Sequence, residues 1–185
     1  VLLLVAIFAP VLAPCDPYQL YDALVKPPGT PGHLLGTDGL GRDVLSEIIY
    51  GTRTSLMIGV IAASIAGLVG TCIGAVAGFF GGKVDRVVSE FINFFLMTPS
   101  FFLTLIVVAL FGSNIIYIMI VIGLTSWTGN ARLMRAQAIS LKQRTFIKSA
   151  QAMGESRLSI MFRHIIPNGI FPIIAQTTMN VSGAI

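Results

Sequence analysis

Hydrophobic residues in this chain fall into long unbroken runs separated by short polar stretches. No charged side chain occurs between Arg53 and Lys83, and none between Glu90 and Arg132. A membrane-spanning helix needs about 20 predominantly apolar residues, so the first run holds one span and the second, with its flanks, nearly two. The pattern predicts spans at about 1 to 13, 55 to 80, 86 to 111, 114 to 134 and from 168 onward. Between them lie a polar loop at 14 to 54, a tight Gly81-Gly82 turn, a break at Gly112-Ser113-Asn114 and a second polar loop at about 135 to 167.

The apolar runs have internal punctuation. Gly70, Gly74, Gly78 and Gly82 recur every fourth residue and so share one helix face, where small residues let helix backbones approach closely. The row suits packing inside one subunit, with a subunit interface or a mobile pore helix as alternatives. Pro99 falls near the middle of the third predicted span, where it removes a backbone hydrogen bond and kinks the helix. Asn93 and Thr98 are placed to satisfy the freed backbone, to face a water-filled path, or simply to pack. The N-terminus, VLLLVAIFAPVLAP, is apolar from its first residue, without an initiator methionine or the basic start of a signal peptide. With the apolar ending NVSGAI, the expectation is a fragment whose first span is truncated.

Composition agrees with the pattern. The chain is 55% hydrophobic and 11% charged, with a mean hydropathy of +0.85, against roughly 25% charged residues in a soluble domain. Basic residues cluster from Arg132 to Arg163 (Arg132, Arg135, Lys142, Arg144, Lys148, Arg157, Arg163) against the single acid Glu155. Such clusters lie on the cytoplasmic side. Counting back, Gly112 to Asn114 faces outside, Gly81 to Arg86 faces the cytoplasm, and the 14 to 54 loop lies outside. This asymmetry accounts for the net charge of +4, so nucleic acid is not expected as a partner.

Candidate chemistry is sparse. Cys15 and Cys72 are poorly placed to pair and form no metal-type spacing, and His33 and His164 have no companion at ligand spacing. No phosphate loop of the G-x-x-x-x-G-K-[ST] type occurs, and no Ser/His/Asp set falls on one side of the membrane. The expectation is a chain with no catalytic site, no cofactor and no metal of its own.

Two polar blocks stand out. HLLGTDGLGRDVLSEIIYG, His33 to Gly51, reads as a Gly36-Thr37-Asp38-Gly39 turn with Thr37 or Asp38 as N-cap. From Leu40 an amphipathic helix follows, with Val44, Leu45, Ile48 and Ile49 on its apolar face and Asp43, Ser46, Glu47 and Tyr50 elsewhere. The apolar stripe rests on the bilayer or on neighbouring helices. Alternatively the block is an outer rim, with Asp38, Arg42, Asp43 and Glu47 contacting a partner. In the second block, TFIKSAQAMGESRLSIMFRHIIPN from Thr145, the residues Phe146, Ile147, Ala150 and Met153 recur at helical spacing. Gly154 suits a helix C-cap, Ser156 can cap a second helix, and Pro167 opens the next span. This compact insert suits docking of a partner better than mere connection, although it would also suit a helix lying on the membrane surface.

Ala150, Ala152 and Gly154, followed by Arg163-His164 and Ile166-Pro167, resemble the signature loop of binding-protein-dependent ABC importer permeases, a Glu-Ala-Ala run followed by Gly and a distal Ile and Pro. The stretch from Ser126 to Ala150, and LLGTDGLGRDVLSEIIYGTRTSL before the second span, are similar to dipeptide, oligopeptide and nickel permeases of the second-permease type. The resemblance implies an all-α, polytopic transmembrane bundle of the MetI-like type in a prokaryotic plasma membrane. It also implies membrane lipid, a second homologous permease, two cytoplasmic ATPase subunits that bind ATP and magnesium, and an extracytoplasmic solute-binding protein as partners. The cargo would be a di- or oligopeptide, with nickel as the rival. A secondary transporter would show ionisable groups within its spans, and none occur between 55 and 80 or 91 and 131; an intramembrane enzyme would need a catalytic set, and none is found.

By the same resemblance, residues 146 to 155 form the ATPase-coupling loop. Phe146, Ile147 and Met153 would be its contact face, Ala150 and Ala152 would permit close approach, and Gly154 would make the turn before Glu155. The sequence departs from the family where Lys148 stands in place of the glutamate and Ser149 in place of the following alanine. That departure reverses a charge at the joint. Three parts follow: a truncated first span at 1 to 13, an extracytoplasmic loop with an amphipathic helix at 14 to 54, and a permease core at 55 to 185 containing the cytoplasmic loop at 135 to 167.

Overall fold

The computed structural model describes residues 1–22, 24–112 and 114–184, and they form helices and irregular backbone with two isolated β-bridges. Ser113, part of the predicted break, lies outside the described residues. The helices are α1 (Leu2–Ile7), α2 (Ala9–Leu12), α3 (Val44–Phe80), α4 (Gly82–Met97), α5 (Ser100–Phe111), α6 (Ile115–Lys142), α7 (Thr145–Ala152), α8 (Arg157–Ile160) and α9 (Ile166–Ala184), with a π-helical turn at Met161–Ile165 before α9. The chain divides into two compact units, Val1–Ile58 and Gly59–Ile185, with the boundary inside α3.

Val44–Phe80 and Arg157–Gly183 are long and apolar enough to cross a membrane, and α4 with α5 adds a third crossing if that bent pair is one span. The expected spans at 1 to 13 and 114 to 134 take a different form. The first is two short helices meeting at Phe8, just before Pro10. The second is the front of a longer helix, α6, whose polar residues from Thr125 to Arg132 dilute its apolar start. The cytoplasmic loop expected from about 135 accordingly begins later, because residues 135 to 142 continue α6.

In the larger unit, α3 and α6 meet at a face with almost no side-chain volume. A Cβ on Gly70 would stand 2.6 Å from the Trp127 carbonyl oxygen, one on Gly74 2.3 Å from that of Ala131, and one on Gly78 2.4 Å from that of Arg135. The glycine row therefore packs this chain against itself. Gly82 does not belong to the row: it opens α4 with φ +57° and has nothing near its missing Cβ, because the Gly81 turn has already ended α3. From α6 the complementary residues Trp127, Ala131, Met134 and Ala138 recur at helical spacing, all buried.

Two apolar clusters follow from this contact. Ala66, Ile92, Trp127 and Ala131 form one, with the Trp127 ring against Phe91 and Phe95. Ala75, Phe79, Met134, Ala138, Ile147, Ala150, Ile160, Met161, Ile165 and Ile173 form the other, which brings the end of α3 together with α6, α7 and α9. Polar groups brace the same helices. Arg135 forks onto the Asp85 carboxylate, its Nη2 donating to Oδ2 over 2.7 Å, and Arg132 Nη2 donates to Asn93 Oδ1 over 2.9 Å. Asn130, fully buried on the α3 side of α6, has no hydrogen-bond partner for its side-chain amide among the described residues.

Pro99 ends a helix more completely than a kink would. α4 stops at Met97, Thr98 is extended, Pro99 precedes α5, and the two helices meet at 77°. The extended residue before a proline avoids the clash with the proline ring, and the Thr98 hydroxyl donates to the carbonyl of Phe94 over 3.2 Å. At the second proline region, Pro167 has no N–H, and beside it the Asn168 side-chain Nδ2 donates to the carbonyl of His164 over 2.7 Å.

Gly74→Leu should separate α3 from α6 and lower stability by about 1–3 kcal/mol or more, the usual cost of overpacking. Gly129→Ala, on α6 but facing open space, should be neutral. Thermal unfolding of the detergent-purified protein compares the two; equal melting temperatures would remove the α3–α6 contact from its central role.

Candidate functional site

Two polar constellations stand out, one in each unit. The first is the turn after α7. Gly154 has φ +81°, its N–H donates to the carbonyl of Gln151 over 3.1 Å, and the Glu155 N–H donates to that of Ala150 over 3.1 Å. These two bonds make a Schellman stop, and only a residue without a Cβ adopts that backbone at no cost. The chain then re-enters helix at once, with the Ser156 hydroxyl oxygen accepting from the Ser159 N–H over 3.3 Å as N-cap of α8.

A side-chain clamp holds the loop closed. Glu155 Oε1 accepts from the Ser159 hydroxyl over 2.6 Å, and Glu155 Oε2 lies 2.9 Å from His164 Nε2. A carboxylate only accepts, so Nε2 carries the proton. The Ser159 and His164 bonds, with smaller help from the Arg163 charge, outweigh partial burial and hold the Glu155 carboxyl below its usual range. The Phe146 ring stands edge-on to His164 at 6.4 Å.

The faces of α7 differ from the expected arrangement. Ile147 is fully buried and Ala150 nearly so, both in the cluster shared with α3, α6 and α9. Ile147 therefore anchors the loop and does not belong to an outward contact face. Phe146 at 44% exposure and Met153 at 80% do face outward, beside the exposed Lys148, Ser149, Ala152 and Gly154. A cavity of about 470 Å³, lined by Phe79, Phe80, Lys142, Gln151, Glu155 and Arg157, opens next to them.

The second constellation is the block before α3, and here several expectations are corrected. No separate amphipathic helix forms from Leu40, because helix begins at Val44 and runs unbroken to Phe80. Neither Thr37 nor Asp38 caps it. Asp43 does: its Oδ2 accepts from the Ser46 N–H over 2.9 Å and from the Ser46 hydroxyl over 2.7 Å. Asp43 is also fully buried, so it cannot serve as a rim contact. Burial opposes its ionisation, but the hydroxyl and amide of Ser46 and the ring of His33 overcome that and hold its carboxyl below the usual range. The remaining rim residues satisfy one another. Asp38 accepts from the Leu40 and Arg42 amides and from the Arg42 guanidinium, whose other arm reaches Glu47 over 2.9 Å. At Gly41, with φ +81°, a Cβ would lie 2.1 Å from the Tyr21 carbonyl oxygen, so the turn closes onto the preceding strand of loop only through glycine.

The sequence also left His33, Cys15 and Ser46 apart, whereas the fold gathers them around Asp43. His33 Nδ1 lies 3.0 Å from Asp43 Oδ1, and the Cys15 N–H donates to the Ser46 hydroxyl oxygen over 3.1 Å. This is not an activated serine. Ser46 gives its proton to Asp43, and His33 touches the same carboxylate, whereas a nucleophilic serine needs the imidazole beside its own oxygen. No sequence spacing signals the cluster, since its members lie at positions 15, 33, 43 and 46.

Long apolar helices, a small-residue seam and a polar helix–turn–helix loop seated on the same core define a multi-pass membrane protein. The chain belongs to the binding-protein-dependent transport system inner membrane component family, which it matches over residues 70–185. It is 38% identical to the dipeptide transport system permease protein DppC of Haemophilus influenzae, over 98% of this chain and 64% of that relative. It is 36% identical to the glutathione transport system permease protein GsiD of Pectobacterium atrosepticum, over 100% of this chain and 62% of the relative. To the oligopeptide transport system permease protein OppC of Haemophilus influenzae it is 39% identical, over 83% of this chain and 49% of the relative. The chain thus spans less than two thirds of the length of these relatives.

Because Glu155 is held ionised by the fold, its contribution is present above the usual carboxylate value of 4.5 and is lost as pH falls through its lowered value. Amide exchange in residues 154 to 160, corrected for intrinsic rates, should accelerate in that acid window, and Glu155→Gln should show the fast exchange already at neutral pH. Unchanged exchange in the variant would separate the clamp from loop order.

Proposed function

We propose that this chain is a permease subunit of an ATP-driven importer for di- or oligopeptides, and that the α7–Gly154–α8 loop couples it to a cytoplasmic ATPase. The observation that carries the coupling role is the double attachment of the loop. Ile147 and Ala150 are buried in the cluster that also holds the ends of α3 and α9, while Phe146 and Met153 remain outside. A partner gripping Phe146 and Met153 would therefore move buried residues in contact with the long helices. The relatives, which are named for dipeptide, oligopeptide and glutathione transport, support a peptide-type cargo.

In this reading ATP and its magnesium are bound by two ATPase subunits, and a homologous second permease completes the path. A solute-binding protein delivers cargo on the outer side, where the 14 to 54 loop lies, and the chain itself carries out no catalysis. The basic α6–α8 region lies in the cytoplasm, in keeping with the excess of Lys and Arg there. Lys148 is exposed on α7, so the ATPase surface opposite it would present an acidic or neutral side chain.

Gly154→Val tests the coupling. A β-branched residue at φ +81° costs about 1–2 kcal/mol locally without meeting any atom, since nothing stands near the missing Cβ. The variant should insert and assemble normally, hydrolyse ATP, and lose most peptide uptake in proteoliposomes containing the whole transporter. Wild-type uptake by that variant would overturn the role of the loop, and failure to copurify any ATPase with the full-length protein would overturn the importer reading.

A further inference from the structure

We propose that Cys15, His33 and Asp43 form a binding site for a zinc-type divalent ion that clips the 14 to 54 loop to the head of α3. The proposal stands independently of the transport reading. One ligand atom from each residue, the Cys15 Sγ, a ring nitrogen of His33 and a carboxylate oxygen of Asp43, lies within 4.8 Å of the other two. His33 Nδ1 and Asp43 Oδ1 are already 3.0 Å apart, close to the roughly 3.3 Å that separates two ligands on a tetrahedral zinc with bonds of about 2.0 Å. Only Cys15 must close in.

The donor set selects the ion. A thiolate, an imidazole and a carboxylate together suit zinc and its borderline neighbours, whereas magnesium and calcium demand oxygen ligands throughout. One thiolate and one carboxylate also balance a double positive charge. On binding, the thiol proton leaves to solvent. The imidazole proton moves from Nδ1 to Nε2, so that Nδ1 offers its lone pair where it now faces Asp43.

The surroundings hold these groups in place. Ser46 is the common support: its N–H and hydroxyl fix Asp43 Oδ2, leaving Oδ1 turned to His33, and its hydroxyl oxygen accepts the Cys15 N–H. The Tyr21 ring packs edge-on against His33 at 4.9 Å. Such outer partners orient ligands and strengthen metal sites. Access exists from both flanks, through a cavity of about 400 Å³ lined by Cys15, Asp16 and Tyr50 and another of about 400 Å³ lined by His33, Gly32 and Leu34. Three protein ligands leave one position for water, so the ion would be exchangeable.

The test uses the full-length protein in detergent with Cys72→Ser, which leaves Cys15 as the single cysteine of this region. Zinc should slow maleimide labelling of Cys15 by about tenfold or more, since the metal-bound thiolate is no longer free to attack, and a chelator should restore the rate. Cobalt should give a thiolate-to-metal charge-transfer band at one ion per chain. His33→Asn should weaken both effects at least roughly tenfold, the loss that removal of even an outer partner brings. Labelling indifferent to zinc, or a cobalt band that persists in Cys15→Ser, would overturn the site. The labelling measurement needs no change at a ligand, so a poorly folding variant does not protect the proposal.

Discussion

The close approach of α3 and α6 is the contact on which the larger unit is built. Three glycines set one turn apart bring the backbone of α3 against the carbonyls of Trp127, Ala131 and Arg135. In lipid, where burial of apolar surface gives helices no reason to associate, such contact gains its energy from dispersion and close backbone packing. Once the seam is closed, the residues flanking it have fixed places. Trp127 meets the aromatic face of α4, Met134 and Ala138 meet the end of α3, and Arg135 reaches Asp85.

That seam also explains where the polar loop sits. Ile147, Ala150, Ile160 and Ile165 complete the cluster begun by Ala75, Phe79, Met134 and Ala138. The loop is therefore a covering of the bundle core, and its sharp reversal at Gly154 is imposed by the need to return α8 to the same core that α7 has just touched. The Glu155 clamp and the Ser156 cap satisfy the polar groups that the reversal exposes. A loop built this way is buried on its inner face, at Ile147 and Ala150, and exposed on its outer one, at Phe146 and Met153.

At the other unit the organising group is Asp43. A buried carboxylate is tolerated only when its oxygens are fully engaged, and here capping of α3 and pairing with His33 supply the partners. The half-buried acids of the same block, Asp38 and Glu47, are tied to Arg42. Charges that look like an outward-facing rim in the sequence are thus largely spent on one another.

The sequence by itself determined the class of the protein, the shared face of Gly70, Gly74 and Gly78, the helix–turn–helix loop around Gly154 and a disturbance at Pro99, because each depends on local periodicity or on a backbone requirement of one residue; that the glycine face packs on α6, and that Pro99 separates two helices where a kink was expected, came from the structure. The sequence could not determine which side of α7 is inward, since Phe146, Ile147 and Met153 are equally apolar and only the position of the α3–α6 core separates the buried Ile147 from its exposed neighbours. Nor could it show that Gly82 leaves the seam or that Asp43 is an internal cap, as these follow from where α3 ends and begins. The gathering of Cys15, His33 and Asp43 was decided by tertiary structure alone, because residues so far apart in an irregular loop meet only when the whole loop closes onto the first turn of a helix.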